Sequence, residues 1–391
     1  MSGELLAAIG TNDAAAVARL LEEHPEIKAT INGPLEGFGF GQTALMAAAQ
    51  RGNRDMVDVL LRAGADINQK SHWWAGSFHV LDGAGRDPWM PSFLIGRGAV
   101  PEIHHLVQLG MIDEVRRVLA ETPSLLHTRG GDGQLPLHFA PTLEMAQYLV
   151  ARGADLDARD VDHESTAAQY MVRDRQPIVR YLLRRGAHGD VLMASALGDV
   201  ELMAALLDAH PRAVRTRVSA DWFPMQDSRA GGTIYIWTLG GEKGAHEIAR
   251  EFGHEDAVEA LMARSPASLQ VAAACQLEDE ARLSRLKGTP VEPDDYVWLP
   301  AAASRNRTAA ARMMLEAGWP PAADGQAATA LHWAAWHGNA ELARALLDRG
   351  APTDRRDVRY QGTPRGWAEH GARAQPGRAG ADYDAVLRLL P

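Results

Sequence analysis

The sequence repeats itself. A segment beginning at Gly41, GQTALMAAAQRGNRDMVDVLLRAGADIN, aligns with one beginning at Gly325, GQAATALHWAAWHGNAELARALLDRGAPT. Both read as a short apolar helix, a Gly-Asn turn, a second helix ending in a Leu-Leu pair, and a Gly-Ala stop. Ala47, Ala48 and Ala49 are small enough for two antiparallel helices to approach closely, and Val57, Leu60 and Leu61 supply an apolar stripe at helical spacing. Gly64 falls just past the second helix, where a left-handed backbone favours glycine. One such helix pair cannot bury both of its faces, so neighbours have to stack. A chain of 391 residues holds about 11.8 units at a period of about 33 residues, whereas globular domains of roughly 150 residues would number two or three.

This pattern resembles the ankyrin repeat, T-P-L-H-x-A-A-x-x-G-H followed by V-x-x-L-L-x-x-G-A-D. Further units of varying fidelity are Leu5–His24, Pro101–Thr122, Asp132–Asp155, Ser165–Ala187, Val191–His210, Ala245–Ser265, Ser268–Leu286, Trp298–Gly318 and Thr363–Leu390, with a distorted one in Trp73–Ala99. The resemblance covers nearly the whole chain and implies an all-α ankyrin-repeat solenoid, one domain over 1–391 with about twelve helix-turn-helix units. Three stretches break the period as insertions, at 30–42, 71–90 and 216–244. In the last of these Thr233–Leu239, TIYIWTL, is β-branched and aromatic between glycine pairs, so a short strand or β-hairpin arm is expected. Insertions in a solenoid map onto loops, and loops on a rigid scaffold concentrate binding residues.

Composition removes several function classes. With 46% hydrophobic and 23% charged residues the chain can bury a core. The single cysteine, Cys275, excludes an intramolecular disulfide and a multi-cysteine zinc site. Forty basic against fifty acidic residues argue against a general nucleic-acid or anionic-membrane binder. The start MSGELLAAIG has no basic n-region and no stretch reaches membrane-spanning length, so a soluble, cytoplasmic protein is expected. The familiar phosphate-loop, nucleophile-elbow and dinucleotide signatures are missing, and His246-Glu247 is not followed by a second histidine at zinc-protease spacing. No catalytic residue and no cofactor is therefore expected. His104 and His105 are adjacent and expected to diverge onto different helix faces, so local spacing supports no metal site and leaves only one assembled between units. The arginine-rich run Arg349–Arg378 reads as a solvated surface.

The candidate site residues are mainly aromatic. In the ankyrin pattern the residue after the histidine position lies on the exposed side of the first helix, lining the concave surface. Phe139, Tyr170, Trp333 and Trp367 occupy that slot, and Trp336 lies one turn beyond Trp333. Such rings contribute apolar area to a binding surface; the structural alternative is that they fill distorted repeats. The resemblance implies that His138 and His332 bond backbone between repeats. The finger DVDHES places Asp162, His163 and Glu164 on one turn, either as a general base or ligand contact beside two carboxylates or as turn chemistry with Ser165 or Thr166 capping the next helix. The divergent third unit crowds His72, Trp73, Trp74, His79 and Asp82 together, as a pocket or as a stabilising cluster, and Trp237 lies in the long insertion. The reading that follows is a binding protein engaging a partner protein or extended ligand through an aromatic-lined face and finger loops. The alternative is an enzyme or small-molecule binder, for a carbohydrate or aromatic metabolite, with a pocket built from the third unit, the 160–166 finger and the 216–244 insertion.

Overall fold

The computed structural model describes residues 3–83, 87–325 and 328–390. Residues 84–86 of the 71–90 insertion, and 326–327 in the segment from Gly325, lie outside the described residues. The chain divides into two compact units. The first comprises Met1–His188 together with Met225–Ile234, and the second comprises Gly189–Pro224 with Tyr235–Pro391.

Short antiparallel helix pairs build both units. In the first unit they are Gly3–Gly10 with Ala14–Glu23, Ala44–Gln50 with Arg54–Arg62, Ile103–Gln108 with Ile112–Glu121, and Ala167–Met171 with Gln176–Arg184. The distorted third segment keeps the helix Met90–Ile95, and the fifth replaces its first helix by a 3-10 turn, Pro136–Phe139, before Leu143–Ala151. The second unit holds the pairs Val191–Leu197 with Val200–Ala209, Ala245–Glu251 with Glu255–Arg264, Ala267–Gln276 with Glu280–Arg285, Trp298–Ser304 with Thr308–Glu316, Ala330–Trp336 with Ala340–Leu347, and Pro364–Ala374 with Tyr383–Leu389.

Local chemistry sets these boundaries. Asn53 and Asn339, each in a Gly-Asn turn, accept the backbone N–H of Met56 and Leu342 and so cap the second helix of their pairs. Gly64 closes its helix at φ 97°, in the left-handed region. Ala47, Ala48 and Ala49 are fully buried, as are Val57 and Leu60, while Leu61 is half-buried at the edge of the same core. The second unit repeats the arrangement with Ala272–Ala274, Ala301–Ala303 and Ala334–Ala335.

The expected strand or hairpin arm at Thr233–Leu239 is not formed. Ile236–Gly240 makes one π-helical turn, and no strand is present among the described residues, only isolated bridges such as Arg217 with Gly244 at the base of the insertion. The burial pattern explains the difference. Tyr235 and Leu239, four apart, are buried while Ile236 and Trp237 are exposed, and that spacing suits a helical turn rather than an alternating strand. The Tyr235 hydroxyl donates to the Asp190 carboxylate at 2.8 Å, anchoring the turn.

His246, buried on Ala245–Glu251, makes a pH prediction for the second unit. Ser265 Oγ donates to the Leu261 carbonyl, so His246 Nε2 donates to Ser265 Oγ, at 3.0 Å. Burial, with the Arg282 charge adding to it, pulls this imidazole down to about 4. The unfolded chain takes up the proton below about 6.5 and the folded chain only near 4, so stability falls as pH drops through that window. The full effect is of order 3 kcal/mol. Denaturant unfolding at pH 7 and pH 4.5 should show this loss in the wild type and a clearly smaller one in His246→Gln, which keeps a donor for Ser265. Equal losses in both would show that His246 is not held neutral.

Candidate functional site

Most of the sequence-derived candidates gather in three places, two neighbouring clusters in the first unit and a cleft in the second. In the first, the loop Gly130–Gly133 presents Asp132 at φ 54°, and its carbonyl accepts the N–H groups of Val161 and Asp162 at 2.9 and 3.1 Å. That ties the loop to the DVDHES finger. The finger is folded around the buried Asp160 carboxylate, which accepts the N–H of Ser165 at 2.7 Å, the N–H of His163 at 2.8 Å and the Tyr170 hydroxyl at 3.1 Å. Thr166 then caps the following helix by accepting the N–H of Gln169.

Above this frame sits a compact polar group. Trp73 Nε1 donates to Asp132 Oδ1 at 3.0 Å. His163 Nδ1 donates to the Gly232 carbonyl at 2.9 Å, and its Nε2 lies 3.6 Å from Asp162 Oδ2. Asp132, Asp162 and His163 each offer one ligand-capable atom, all within 4.8 Å of one another. Burial, followed by the Asp162 charge, pushes the Asp132 carboxyl up to about 6, and burial likewise raises Asp162, partly offset by His163. The Tyr170 phenol is raised by burial and by the Asp160 charge.

The segment 225–234 closes over the finger. Gly231 N–H donates to the Asp162 carbonyl at 2.9 Å, and Glu164 accepts the N–H groups of Gln226 and Asp227 at 2.9 and 2.8 Å. The Arg229 guanidinium lies 4.2 Å above the Trp74 ring. Trp73, Trp74, Asp162, His163, Glu164 and Tyr170 are thus brought together, with Asp132 and Asp160 added. Asp160 opens the finger DVDHES already singled out, whereas Asp132 is new, its signal a single aspartate inside the glycine run Gly130–Gly133.

His79 and Asp82 fall in a neighbouring cluster with His104 and His105. Asp82 accepts the N–H of His79 at 2.6 Å and His105 Nε2 at 3.1 Å. His79 Nε2 donates to Asn68 Oδ1 at 3.2 Å. Burial is the main cause that brings both His79 and His104 down to about 4. Burial would raise Asp82, but the hydrogen bonds from His105 and the His79 backbone outweigh it and hold the carboxyl low. The expected divergence of His104 and His105 is corrected: both are buried, with ring centroids 4.2 Å apart. Phe139 packs on this cluster, 5.5 Å from His104.

In the second unit Trp333, Trp336 and Trp367 line a cleft of about 560 Å³ with Tyr360, His370, Gly362 and Gly366. Trp367 stands edge-on to Trp333 at 5.0 Å and to Trp336 at 6.3 Å, and Trp336 stacks on His370. Trp367 Nε1 donates to the buried Asp357 carboxylate at 2.9 Å, which fixes the ring. His332 Nε2 donates to the Arg355 carbonyl, and His138 Nε2 to the Ser165 carbonyl, so both histidines bond backbone outside their own turns. Sequence reasoning missed Tyr360, 67% exposed, and His370, because neither falls in the slot after the histidine position. Trp237, 58% exposed on the π-helical turn, does not line this cleft.

The family models agree with the helix-pair architecture. The chain matches the family described as ankyrin repeat over residues 40–72, and the one described as ankyrin repeats (3 copies) over residues 192–357. It is 30% identical over 123 residues to Ankyrin repeat and SAM domain-containing protein 6 of Rattus norvegicus, a match spanning 30% of this chain and 14% of that protein. Similar solved structures include the human ASB11 ankyrin repeat domain, at 15% identity and TM-score 0.31, covering 75% of this chain and 99% of that one. Another is the predatory endopeptidase Bd0816 of Bdellovibrio bacteriovorus in complex with immunity protein Bd3460, at 23% identity and TM-score 0.31, covering 47% of this chain and 98% of that one. No helix among the described residues is long and apolar enough to cross a membrane. Alanine-lined helix pairs, capped Gly-Asn turns, inter-turn histidine bonds and the two family matches together place this chain in the ankyrin-repeat family.

Proposed function

We propose that this protein is an interaction module that binds a partner protein through the tryptophan cleft of its second unit. Ankyrin repeats generally serve protein–protein interaction, which supports the coarser part of this reading. The observation that carries the finer part is the cleft itself. Three half-buried indoles and an exposed phenol surround about 560 Å³ and are held in place by packing and by the Asp357 bond. Rigid aromatic rings of this kind anchor an apolar or proline-rich segment with little loss of side-chain freedom.

The test is a quantitative pulldown from native lysate with the wild type and a Trp336→Ala/Tyr360→Ala variant, each checked for folding by circular dichroism and thermal melting. At least one partner recovered by the wild type should fall about tenfold or more in the variant, as expected when central aromatic anchors are truncated. Unchanged recovery of every partner by a folded variant refutes the cleft as the binding surface.

A second reading, small-molecule binding at the finger, is favoured by one specific observation: the segment 225–234 lies on Asp162, His163 and Glu164 and carries Arg229 over Trp74. Thermal-shift screening against metabolites tests it, and a flat response across the library counts against it.

A further inference from the structure

We propose that Asp132, Asp162 and His163 form a binding site for one divalent transition-metal cation of the Zn²⁺ class, which ties the Gly130–Gly133 loop to the finger. The geometry brings two carboxylates and one imidazole into one small space. His163 Nδ1 carries the hydrogen that it donates to the Gly232 carbonyl. In the neutral ring Nε2 therefore carries a lone pair, 3.6 Å from Asp162 Oδ2, and Asp132, Asp162 and His163 each offer one ligand-capable atom within 4.8 Å of the others. A cation among these atoms would offset the mutual repulsion of two carboxylates held this close.

A second observation points to a ligand. Asp162 is 4% exposed, and its Oδ1 is buried with no hydrogen-bond partner. A buried, unpaired carboxylate oxygen is costly, and a cation satisfies it.

The surroundings suit a metal. A ligating imidazole almost always donates its other N–H to a carbonyl or carboxylate, as His163 does to Gly232, and ligating carboxylates are themselves hydrogen-bonded, as Asp132 is by Trp73. Bonds of about 2.0–2.1 Å at tetrahedral angles put neighbouring ligand atoms about 3.3 Å apart, close to the His163–Asp162 separation. One imidazole with two carboxylates selects Zn²⁺ and its neighbours over Ca²⁺ or Mg²⁺, which prefer all-oxygen shells. Backbone contacts already hold the parts together, since the Asp132 carbonyl binds the finger and Gly231 N–H binds the Asp162 carbonyl.

The ligand-capable atoms of Asp82, His104 and His105 also lie within 4.8 Å of one another, but their chemistry differs. Glu102 N–H donates to His105 Nδ1, which leaves the hydrogen on Nε2, and Nε2 donates it to Asp82. His104 Nδ1 is buried there without a hydrogen-bond partner, but the Asp82 carboxylate is already taken up by His105 Nε2 and His79 N–H, so Asp82 serves as a control.

The experiment uses the full chain, stripped with chelator and shown to be folded. Zn²⁺ is titrated by calorimetry and Co²⁺ by visible absorption, and melting is followed with and without Zn²⁺. The proposal expects one equivalent of Zn²⁺ per chain, Co²⁺ bands of a low-coordinate site, and a higher melting temperature with metal. Asp162→Asn and His163→Gln should each weaken binding at least about 100-fold, and Asp82→Asn should leave it unchanged. If one of the first two fails to fold, Asp132→Asn replaces it. Absence of stoichiometric binding tighter than about 100 µM, or equal binding by the folded variants, overturns the proposal; the cluster is then an internally neutralised carboxylate–imidazole group.

Discussion

Gly133→Ala should destabilise the first unit by about 2–5 kcal/mol, combining a left-handed backbone penalty with an overpacking term. Gly133 sits at φ 72°, where only glycine is unstrained. The added Cβ would also lie 2.3 Å from Val161 Cγ2, 2.6 Å from Val161 Cβ and 2.8 Å from the Ala75 carbonyl. The side chain at Val161 has no long flexible end to swing away, and the Ala75 contact is backbone. Relief therefore requires the loop and finger to separate, which lengthens the bonds from Val161 and Asp162 N–H to the Asp132 carbonyl. Denaturant unfolding measures the loss, and near-ultraviolet circular dichroism reports on Trp73, whose indole bonds Asp132. A Gly133→Ala protein as stable as wild type, with an unchanged aromatic spectrum, would mean that the loop is not wedged between Ala75 and Val161.

The helix pairs are legible in the sequence because their signals are local. Alanine runs, Gly-Asn turns and a terminal glycine each act within one turn of helix, and Ala47–Ala49, Asn53 and Gly64 do in the structure what their positions imply. Trp333, Trp336 and Trp367 are legible for the same reason, since register and i, i+3 spacing put their rings on shared faces.

What escapes is set by long-range contacts. Asp132 meets Asp162 and His163 because the Gly130–Gly133 loop is bonded to a finger some thirty residues later, and no periodicity encodes that. The TIYIWTL run has strand propensity, but the turn buries Tyr235 and Leu239 together, so packing overrides the intrinsic preference. His104 and His105 follow the same rule, because a helix packed on several sides can bury both of two adjacent residues.

Arg215→Ala should cost the second unit about 3–5 kcal/mol, the range for removing one partner of a buried ion pair. The Asp295 side chain is 0% exposed, and Arg215 Nε and Nη2 reach its two oxygens at 3.0 and 3.1 Å in a bidentate fork. Trp319 Nε1 donates to the Asp295 carbonyl at 3.0 Å, so the residue is fixed at both backbone and side chain and cannot rotate out to water cheaply. Removing the guanidinium leaves a desolvated carboxylate, and that penalty exceeds the value of the pair itself. The double variant Arg215→Met/Asp295→Leu removes both charges while filling the space, and should recover most of the loss. Unfolding free energies of the two variants decide the matter: a single substitution costing under about 1 kcal/mol, in the range of exposed pairs, or a double variant no more stable than the single, would show that burial of the Asp295 charge is not what the pair offsets.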